Sequence, residues 1–295
     1  MVSIIGAGAW GSALHHAISQ KVESVITSRH KRNIKGFVSL DEALKNEYLV
    51  IVIAAQSIDG FLAKNHEKIK DKKILVASKG IDNKKLKFLN EIFEEYVPKE
   101  NIAFISGPSF AKEVMQNKPT ALVIASKNLT LAKKFSEFFP EFIKTYIDED
   151  VEGVEVAGAY KNVLAIASGI CEGLNLGSNA KAALISRGLV EMARFGENFG
   201  AKKDTFLGVA GSGDLFLTAN STMSRNYRVG LSLAKGKILE DILEELGEVA
   251  EGVFTSKAIY ELSNKFGIYT PIANEVYKII YEKKDVMKSL KDLMS

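Results

Sequence analysis

Three charged residues of this chain stand in or beside otherwise apolar or glycine-rich stretches. Lys161 lies in GAYKNVLAIASG, residues 158–169, at the front of a strongly apolar helical pattern. A lysine with little water around it can hold a lowered pKa and exchange protons near neutral pH. Asp214 sits in GVAGSGDLFLT, residues 208–218, a carboxylate between a glycine-rich loop and an apolar run. Lys79, in ASKG, comes straight after an apolar strand pattern. Gly107-Pro108-Ser109-Phe110-Ala111 follows another such pattern and combines a rigid turn with a hydroxyl. Ligands of open α/β sheets bind beyond the carboxyl ends of the strands, where both of these stretches fall. Ser224-Arg225-Asn226 adds a hydroxyl, a guanidinium fork and an amide. That trio suits a phosphate or carboxylate, because arginine donates in a fixed bidentate geometry. Each group also has a plainer reading: a lysine as a solvated surface charge, Asp214 as a helix cap, Arg225 as a surface residue. The residues alone leave both open.

A second kind of site stands at the front of the sequence, which reads MVSIIGAGAWGSAL over residues 1–14. The apolar run Val2, Ile4, Ile5 leads into Gly6, Gly8 and Gly11, and then into helix formers. Gly6 permits a sharp turn, Gly8 lets a pyrophosphate approach the backbone, and Gly11 lets helix and strand pack closely. The phosphates would sit against the free N–H groups at the start of the helix. This predicts a dinucleotide site. The next strand pattern, SVITS at 24–28, ends not on the acidic residue that binds a ribose 2′-hydroxyl but on Arg29, His30, Lys31 and Arg32. Cations there suit a 2′-phosphate and point to NADP(H); the alternative is a solvated basic turn.

The elements that must position these groups show in the hydrophobic pattern. Residues 41–46 form a short helical stretch, and YLVIVIA at 48–54 is a continuous apolar run of the kind found in strands covered on both faces. Strands follow at 73–77 and 102–106. Between them, residues 85–96 carry Leu86, Leu89, Ile92 and Phe93 at helical spacing. Segments 121–125 and 142–147 extend the series. Alternating strand and helix patterns predict a doubly wound, Rossmann-type sheet. From about residue 151 the patterns are helical and divided by glycine-rich turns, and Pro271 is the only proline there. The expected architecture is therefore α/β plus all-α: a dinucleotide-binding domain over 1–150 and a helical substrate domain over 151–295, with the site in the cleft between them.

Composition narrows the rest. A length of 295 residues suits two domains, and a net charge of +3 makes no case for nucleic acid or a membrane surface. Lysines near residues 68–73 are interleaved with acidic residues and read as solvated faces. The single Cys171 cannot form an internal disulfide, and His15, His16, His30 and His66 are scattered, so no metal set is expected. No apolar run reaches the ~18 residues of a membrane span. The short N-terminal apolar stretch lacks a positive leader, and the expected location is cytoplasmic.

Taken together, GAGAWGSAL, SKG, GPSFAKE, GAYKNVLAIASG, AALISRGLVEM, GVAGSGDLFLT, SRN and VAEG resemble, in order and over nearly the whole chain, the bacterial NAD(P)-dependent glycerol-3-phosphate dehydrogenase family. The resemblance implies reduction of dihydroxyacetone phosphate to sn-glycerol 3-phosphate with NAD(P)H, in a homodimer that supplies phospholipid synthesis. It implies Lys161 as general acid/base, with Lys79 and Asp214 holding and polarising the substrate. Gly107, Ser109, Ser224, Arg225 and Asn226 would line the substrate, the last two at its phosphate. Trp10, Arg29, Lys79, Ala111, Arg225, Val249 and Glu251 would touch the cofactor. The chain departs from the family in being short between its second strand and Ala43, and in carrying Ser212 and Ala219 where leucine and cysteine are usual. The rivals are another two-domain reductase, of a hydroxy or keto acid, and a catalytically silent dinucleotide sensor. The phosphate-type trio opposes the first, and the intact Lys161, Lys79 and Asp214 oppose the second.

Overall fold

The computed structural model describes residues 1–247 and 250–294. Among these the strands are β1 (Val2–Ile5), β2 (Ser24–Thr27), β3 (Tyr48–Ile51), β4 (Lys73–Val76), β5 (Ile81–Asp82), β6 (Lys87–Phe88), β7 (Ile102–Ser106), β8 (Thr120–Ala125) and β9 (Ile143–Asp148). Helices α1 (Ala9–Ile18), α2 (Leu40–Ala43), α3 (Ile58–Ile69), α4 (Leu89–Glu94), α5 (Ala111–Val114) and α6 (Leu129–Ser136) alternate with them. The rest is helical: α7 (Val151–Gly173), α8 (Gly177–Glu197), α9 (Lys203–Leu207), α10 (Asp214–Ala219), α11 (Arg225–Ala234), α12 (Leu239–Leu246), α13 (Glu251–Phe266), α14 (Pro271–Tyr281) and α15 (Val286–Met294). The chain divides into two compact units, one of Met1–Lys79 with Leu89–Val154, the other of Gly80–Phe88 with the residues from Glu155 onward.

The first unit is built on a seven-stranded sheet of order β2-β1-β3-β4-β7-β8-β9. Its first five strands are parallel; β8 runs antiparallel to β7, and β9 parallel to β8. Strands β1 and β7 are buried along their whole length, as expected of strands with helices on both faces. The sheet order reverses at β1, whose neighbours are β2 on one side and β3 on the other. That reversal is the switch point at which such sheets open a crevice. Small polar side chains lock the strand ends: Ser78 donates to the Ile53 carbonyl at 2.6 Å, and Ser126 to the Ile102 carbonyl at 2.6 Å.

The second unit is organised on α7, in which every residue from 153 to 171 is buried. A helix apolar on all sides belongs in a core. Helix α11 crosses it in backbone contact: a Cβ on Gly169 would lie 2.1 Å from the Tyr227 carbonyl oxygen, and one on Gly230 would lie 2.1 Å from that of Ile166. Only glycine fits both positions. Ser168 donates to the Ala219 carbonyl at 2.7 Å, tying α10 to the same helix. Glu191 of α8 is buried and accepts from the amides of Ile272 and Ala273 and from the Tyr160 hydroxyl, so it caps α14 from a distant helix.

Two sequence expectations are corrected. Residues 85–96 are not one helix: only Leu89–Glu94 is helical, and β5 and β6 form an antiparallel hairpin. The Asp82 carboxylate accepts the amides of Lys84 and Lys85, making a turn, and Leu86 takes a left-handed φ of 52° that no helix tolerates. Phe88 then packs edge-on to Phe195 and Phe199, so the hairpin belongs to the helical unit. Helix α7 also starts seven residues earlier than the GAYKN block suggests, which places Lys161 in mid-helix rather than at its front.

Candidate active site

The carboxyl ends of β1, β3, β4 and β7 lie side by side and carry Gly6, Val52, the 77–79 stretch and Gly107. Gly6 turns with φ 121°, and a Cβ there would lie 2.1 Å from the Val52 carbonyl oxygen. On Gly11 a Cβ would lie 1.8 Å from the Gly6 oxygen, so helix and strand touch through backbone. Gly8 differs: nothing lies within 4 Å of where its Cβ would be. Gly8 is also the N-cap of α1 and makes no side-chain cap, and the first turn holds no acidic residue. The result is an open, uncompensated positive helix end over a glycine that leaves room for a bulky anion. This cradle fits a pyrophosphate, and it is here that a nicotinamide dinucleotide would be held.

Other predicted cofactor residues surround the same sheet. Trp10 lies partly buried in the first turn of α1, and Ala111 is the first residue of α5 and partly buried. Arg29, His30, Lys31 and Arg32 follow β2, all exposed, in a turn closed by Ser28 Oγ donating to the His30 carbonyl at 2.7 Å. Lys79 is half-buried beyond the end of β4. Gly107 takes φ 131°, where a side chain is strained, and Ser109 Oγ donates to its carbonyl at 3.0 Å. Val249 lies outside the described residues.

In the second unit the predicted groups converge. Lys161 and Asp214 are both buried, and Nζ donates to Asp214 Oδ1 at 2.5 Å. Lys161 Nζ also donates to Thr218 Oγ1 at 3.0 Å. Thr218, four residues after Asp214, shares its face of α10 and donates to the same Oδ1 at 3.3 Å. Asp214 is therefore a counter-ion and not a cap; the N-cap of α10 is Gly213. The chain reaches it through a π-helical turn, Val209–Gly213, pressed so closely on α9 that a Cβ on Gly211 would lie 2.3 Å from the Phe206 carbonyl oxygen. That contact is the reason for Gly211, the middle glycine of GVAGSGD.

Beside the pair runs a row of amides. Asn226 Nδ2 donates to Asn162 Oδ1 at 2.9 Å, and Asn226 Oδ1 accepts the Gly252 amide at 3.0 Å. Asn162 in turn donates to the Gly158 carbonyl at 3.2 Å. A Cβ on Gly252 would lie 2.7 Å from the Asn162 carbonyl oxygen, so the N-terminus of α13 sits directly on α7. Ser224 caps α11, accepting the Tyr227 amide, and is buried; Arg225, next to it, is exposed. Glu251, half-buried, begins α13. Sequence reasoning singled out Lys161, Asp214 and Asn226 but assigned no role to Thr218 or the Gly252 amide. The i, i+4 spacing from Asp214 is the signal that finds Thr218. Behind Lys161, burial pushes the Tyr160 hydroxyl far above its usual pKa, and the neighbouring Glu191 adds to this, so the hydroxyl stays a donor.

A dinucleotide cradle in one unit and a buried, carboxylate-held lysine in the other are the equipment of a nicotinamide-dependent oxidoreductase, and that is the class this molecule falls in. Among the described residues no group of three or more His, Cys, Asp or Glu is placed to hold a metal ion, and no helix is long and apolar enough to cross a membrane. Residues 27–132 match the family model described as NAD-dependent glycerol-3-phosphate dehydrogenase N-terminus, and residues 150–291 match the model for its C-terminus. The chain belongs to the NAD-dependent glycerol-3-phosphate dehydrogenase family. It is 60% identical over 282 residues to the glycerol-3-phosphate dehydrogenase [NAD(P)+] of Nitratiruptor sp., covering 96% of this chain and 94% of that one. It is 59% identical over 294 residues to the enzyme of the same name from Campylobacter lari, covering 100% and 97%. A crystal structure of glycerol-3-phosphate dehydrogenase from Coxiella burnetii superposes with a TM-score of 0.93 at 33% identity, over 100% of this chain and 98% of that one.

Proposed function

We propose that this chain reduces dihydroxyacetone phosphate to sn-glycerol 3-phosphate with NAD(P)H, and that Lys161 is the acid that completes the reaction. The observation that carries the reading is the buried Lys161–Asp214 pair, a proton donor held by a carboxylate inside a helical core. Reduced nicotinamide, when bound, supplies the hydride for the ketone carbon. As the carbonyl π bond breaks, its oxygen takes a proton from Lys161 Nζ, and the lysine recovers one from solvent; oxidation runs the same transfers backwards. Asp214 accepts from Lys161 Nζ and, with Thr218, fixes its direction. The charge of Lys161 stabilises the forming alkoxide, and Lys79 and Asp214 share in polarising the substrate.

The substrate phosphate is read by Arg225 and Asn226. Asn226 is held on both sides, through Asn162 and the Gly252 amide, and still has one amide hydrogen to give. Ser224, Gly107 and Ser109 complete the lining. Gly6, Gly8, Gly11, Trp10, Arg29, Lys79, Ala111, Arg225, Val249 and Glu251 serve the cofactor. In domain terms, residues 1–150 without the hairpin at 80–88 act as the cofactor domain, and 151–295 with that hairpin as the substrate domain. A cytoplasmic homodimer feeding phospholipid synthesis completes the reading.

The test follows absorbance of reduced nicotinamide with three substrates: dihydroxyacetone phosphate, unphosphorylated dihydroxyacetone and a 2-keto acid. Turnover of the first, a KM at least a hundredfold higher for the second, and collapse of that gap in Arg225→Ala are expected. Turnover confined to the keto acid overturns the substrate assignment, and tight cofactor binding without any turnover favours the sensor.

A further inference from the structure

Beyond β2 the chain makes a short basic loop and returns, and the return limb is held by a residue of α1. His15 is buried within the first unit. Its Nε2 lies 2.8 Å from the Lys35 carbonyl oxygen and its Nδ1 lies 3.1 Å from Ser24 Oγ. Burial holds the imidazole below its usual pKa, opposed by the bond to Lys35, so the ring is neutral. The partners then fix the tautomer: Nε2–H donates to the carbonyl, and Nδ1 accepts the serine hydroxyl. The next residue, Gly36, takes φ 79°, and a Cβ there would stand 3.3 Å from His15 Nε2. The limb continues as an added edge on β2, with the Ile26 amide donating to Gly36 O at 3.0 Å and the Val38 amide donating to Ile26 O at 3.0 Å. The outgoing limb carries Arg29, His30, Lys31 and Arg32, all exposed, directly after the strand end whose Thr27 carbonyl accepts the Gly6 amide at 2.9 Å. One buried imidazole thus clamps the far end of a loop whose near end adjoins the pyrophosphate cradle.

We propose that His15 is a positioning residue for cofactor choice, pinning the loop of Arg29 and Arg32 where it recognises the 2′-phosphate of NADPH over the 2′-hydroxyl of NADH. The physical ground is preorganisation. Three long basic side chains on a loose loop would lose much of their attraction to the cost of ordering, whereas a clamped loop presents them in place. The inference rests on the reading that the first unit binds a nicotinamide dinucleotide, and goes beyond it to which one.

The experiment is equilibrium titration of the whole protein with NADPH and with NADH, read by nicotinamide fluorescence and needing no substrate. His15→Phe keeps the ring volume and removes both hydrogen bonds, whereas His15→Gln retains a donor able to reach the Lys35 carbonyl. The wild type is expected to bind NADPH at least tenfold more tightly than NADH. His15→Phe is expected to weaken NADPH about tenfold and NADH less than twofold, and His15→Gln to restore most of the loss. In an Arg29→Ala/Arg32→Ala background His15→Phe should have no further effect, because the route through the basic loop is gone. Equal weakening of both cofactors, an undiminished effect in that background, or a wild type without NADPH preference overturns the proposal. Failure to turn over dihydroxyacetone phosphate with the NADPH preference intact would count against the substrate reading alone.

Discussion

Replacing Lys161 by methionine removes the ammonium and keeps most of the side-chain volume, so it separates charge from packing. Asp214, 1% exposed, would then have the Thr218 hydroxyl but not the ammonium 2.5 Å away. Breaking a buried pair by removing one partner costs about 3–5 kcal/mol. For a unit of roughly 150 residues each kcal/mol shifts the midpoint by about 2–4 °C, so Lys161→Met should melt about 6–20 °C below wild type. The double variant Lys161→Met/Asp214→Leu removes the buried carboxylate as well and should recover most of that loss, since an apolar pair of similar volume often matches a buried ion pair. Catalysis should behave differently. Loss of a general acid costs on the order of 10²–10⁴ in kcat, and the double variant regains none of it. Thermal unfolding and nicotinamide absorbance on the same preparations decide the matter. A single variant melting with wild type, or a double variant melting no higher than the single, refutes the buried-pair energetics; a kcat within tenfold of wild type refutes the proton role.

Gly8→Ala should fold normally, because open space surrounds its Cβ, yet bind the dinucleotide about tenfold more weakly, a loss of ~1.4 kcal/mol measurable by titration. Gly11→Ala, with a Cβ 1.8 Å from the Gly6 oxygen, should instead lose about 1–3 kcal/mol or more of stability in denaturant. Gly230→Ala should be comparably destabilised and should raise the KM for dihydroxyacetone phosphate, because it pushes α11, and with it Asn226, off α7. Glu191 has its folded pKa raised by burial, so the folded protein binds its proton at a pH where the unfolded chain has lost it. Its contribution to stability therefore falls as pH rises from the unfolded carboxylate value through the folded one, by up to about 1.4 kcal/mol per pH unit. Glu191→Gln should lack that slope and lose about 1–3 kcal/mol near neutrality, its amide meeting the Ile272 and Ala273 donors; unfolding midpoints from pH 4 to 8 check both.

Much of the first unit could be read from the chain because its signals are local. Gly6, Gly8 and Gly11 act within one strand–turn–helix, and the run beginning at Tyr48 needs only to be apolar to declare a strand covered on both faces. The pairing of Lys161 with Asp214 was visible only as two polar residues in apolar surroundings, since 53 positions separate them. What stayed hidden depends on partners distant in sequence. Gly169 and Gly230 look like ordinary helix interruptions until the two helices meet. Glu191 looks like a surface glutamate in AALISRGLVEM until α14 presents its bare amides. The hairpin was masked because Leu86, Leu89, Ile92 and Phe93 mimic a helical stripe, and the turn made by Asp82 outweighs that periodicity.

The hairpin at 80–88 also bears on how the protein is made. Ile81 and Phe88 belong to the core of the helical unit, although they are synthesised in the middle of the other one. On a ribosome adding about 5–20 residues per second, these nine residues emerge roughly 10–40 s before α14 arrives to complete that core. During that interval the strands on either side can fold while the hairpin waits without its partners. No single cut therefore yields two complete halves: a fragment ending near residue 150 carries off two core side chains that the remainder needs. Recombining this cofactor unit with another helical unit would have to carry the hairpin across as a separate piece.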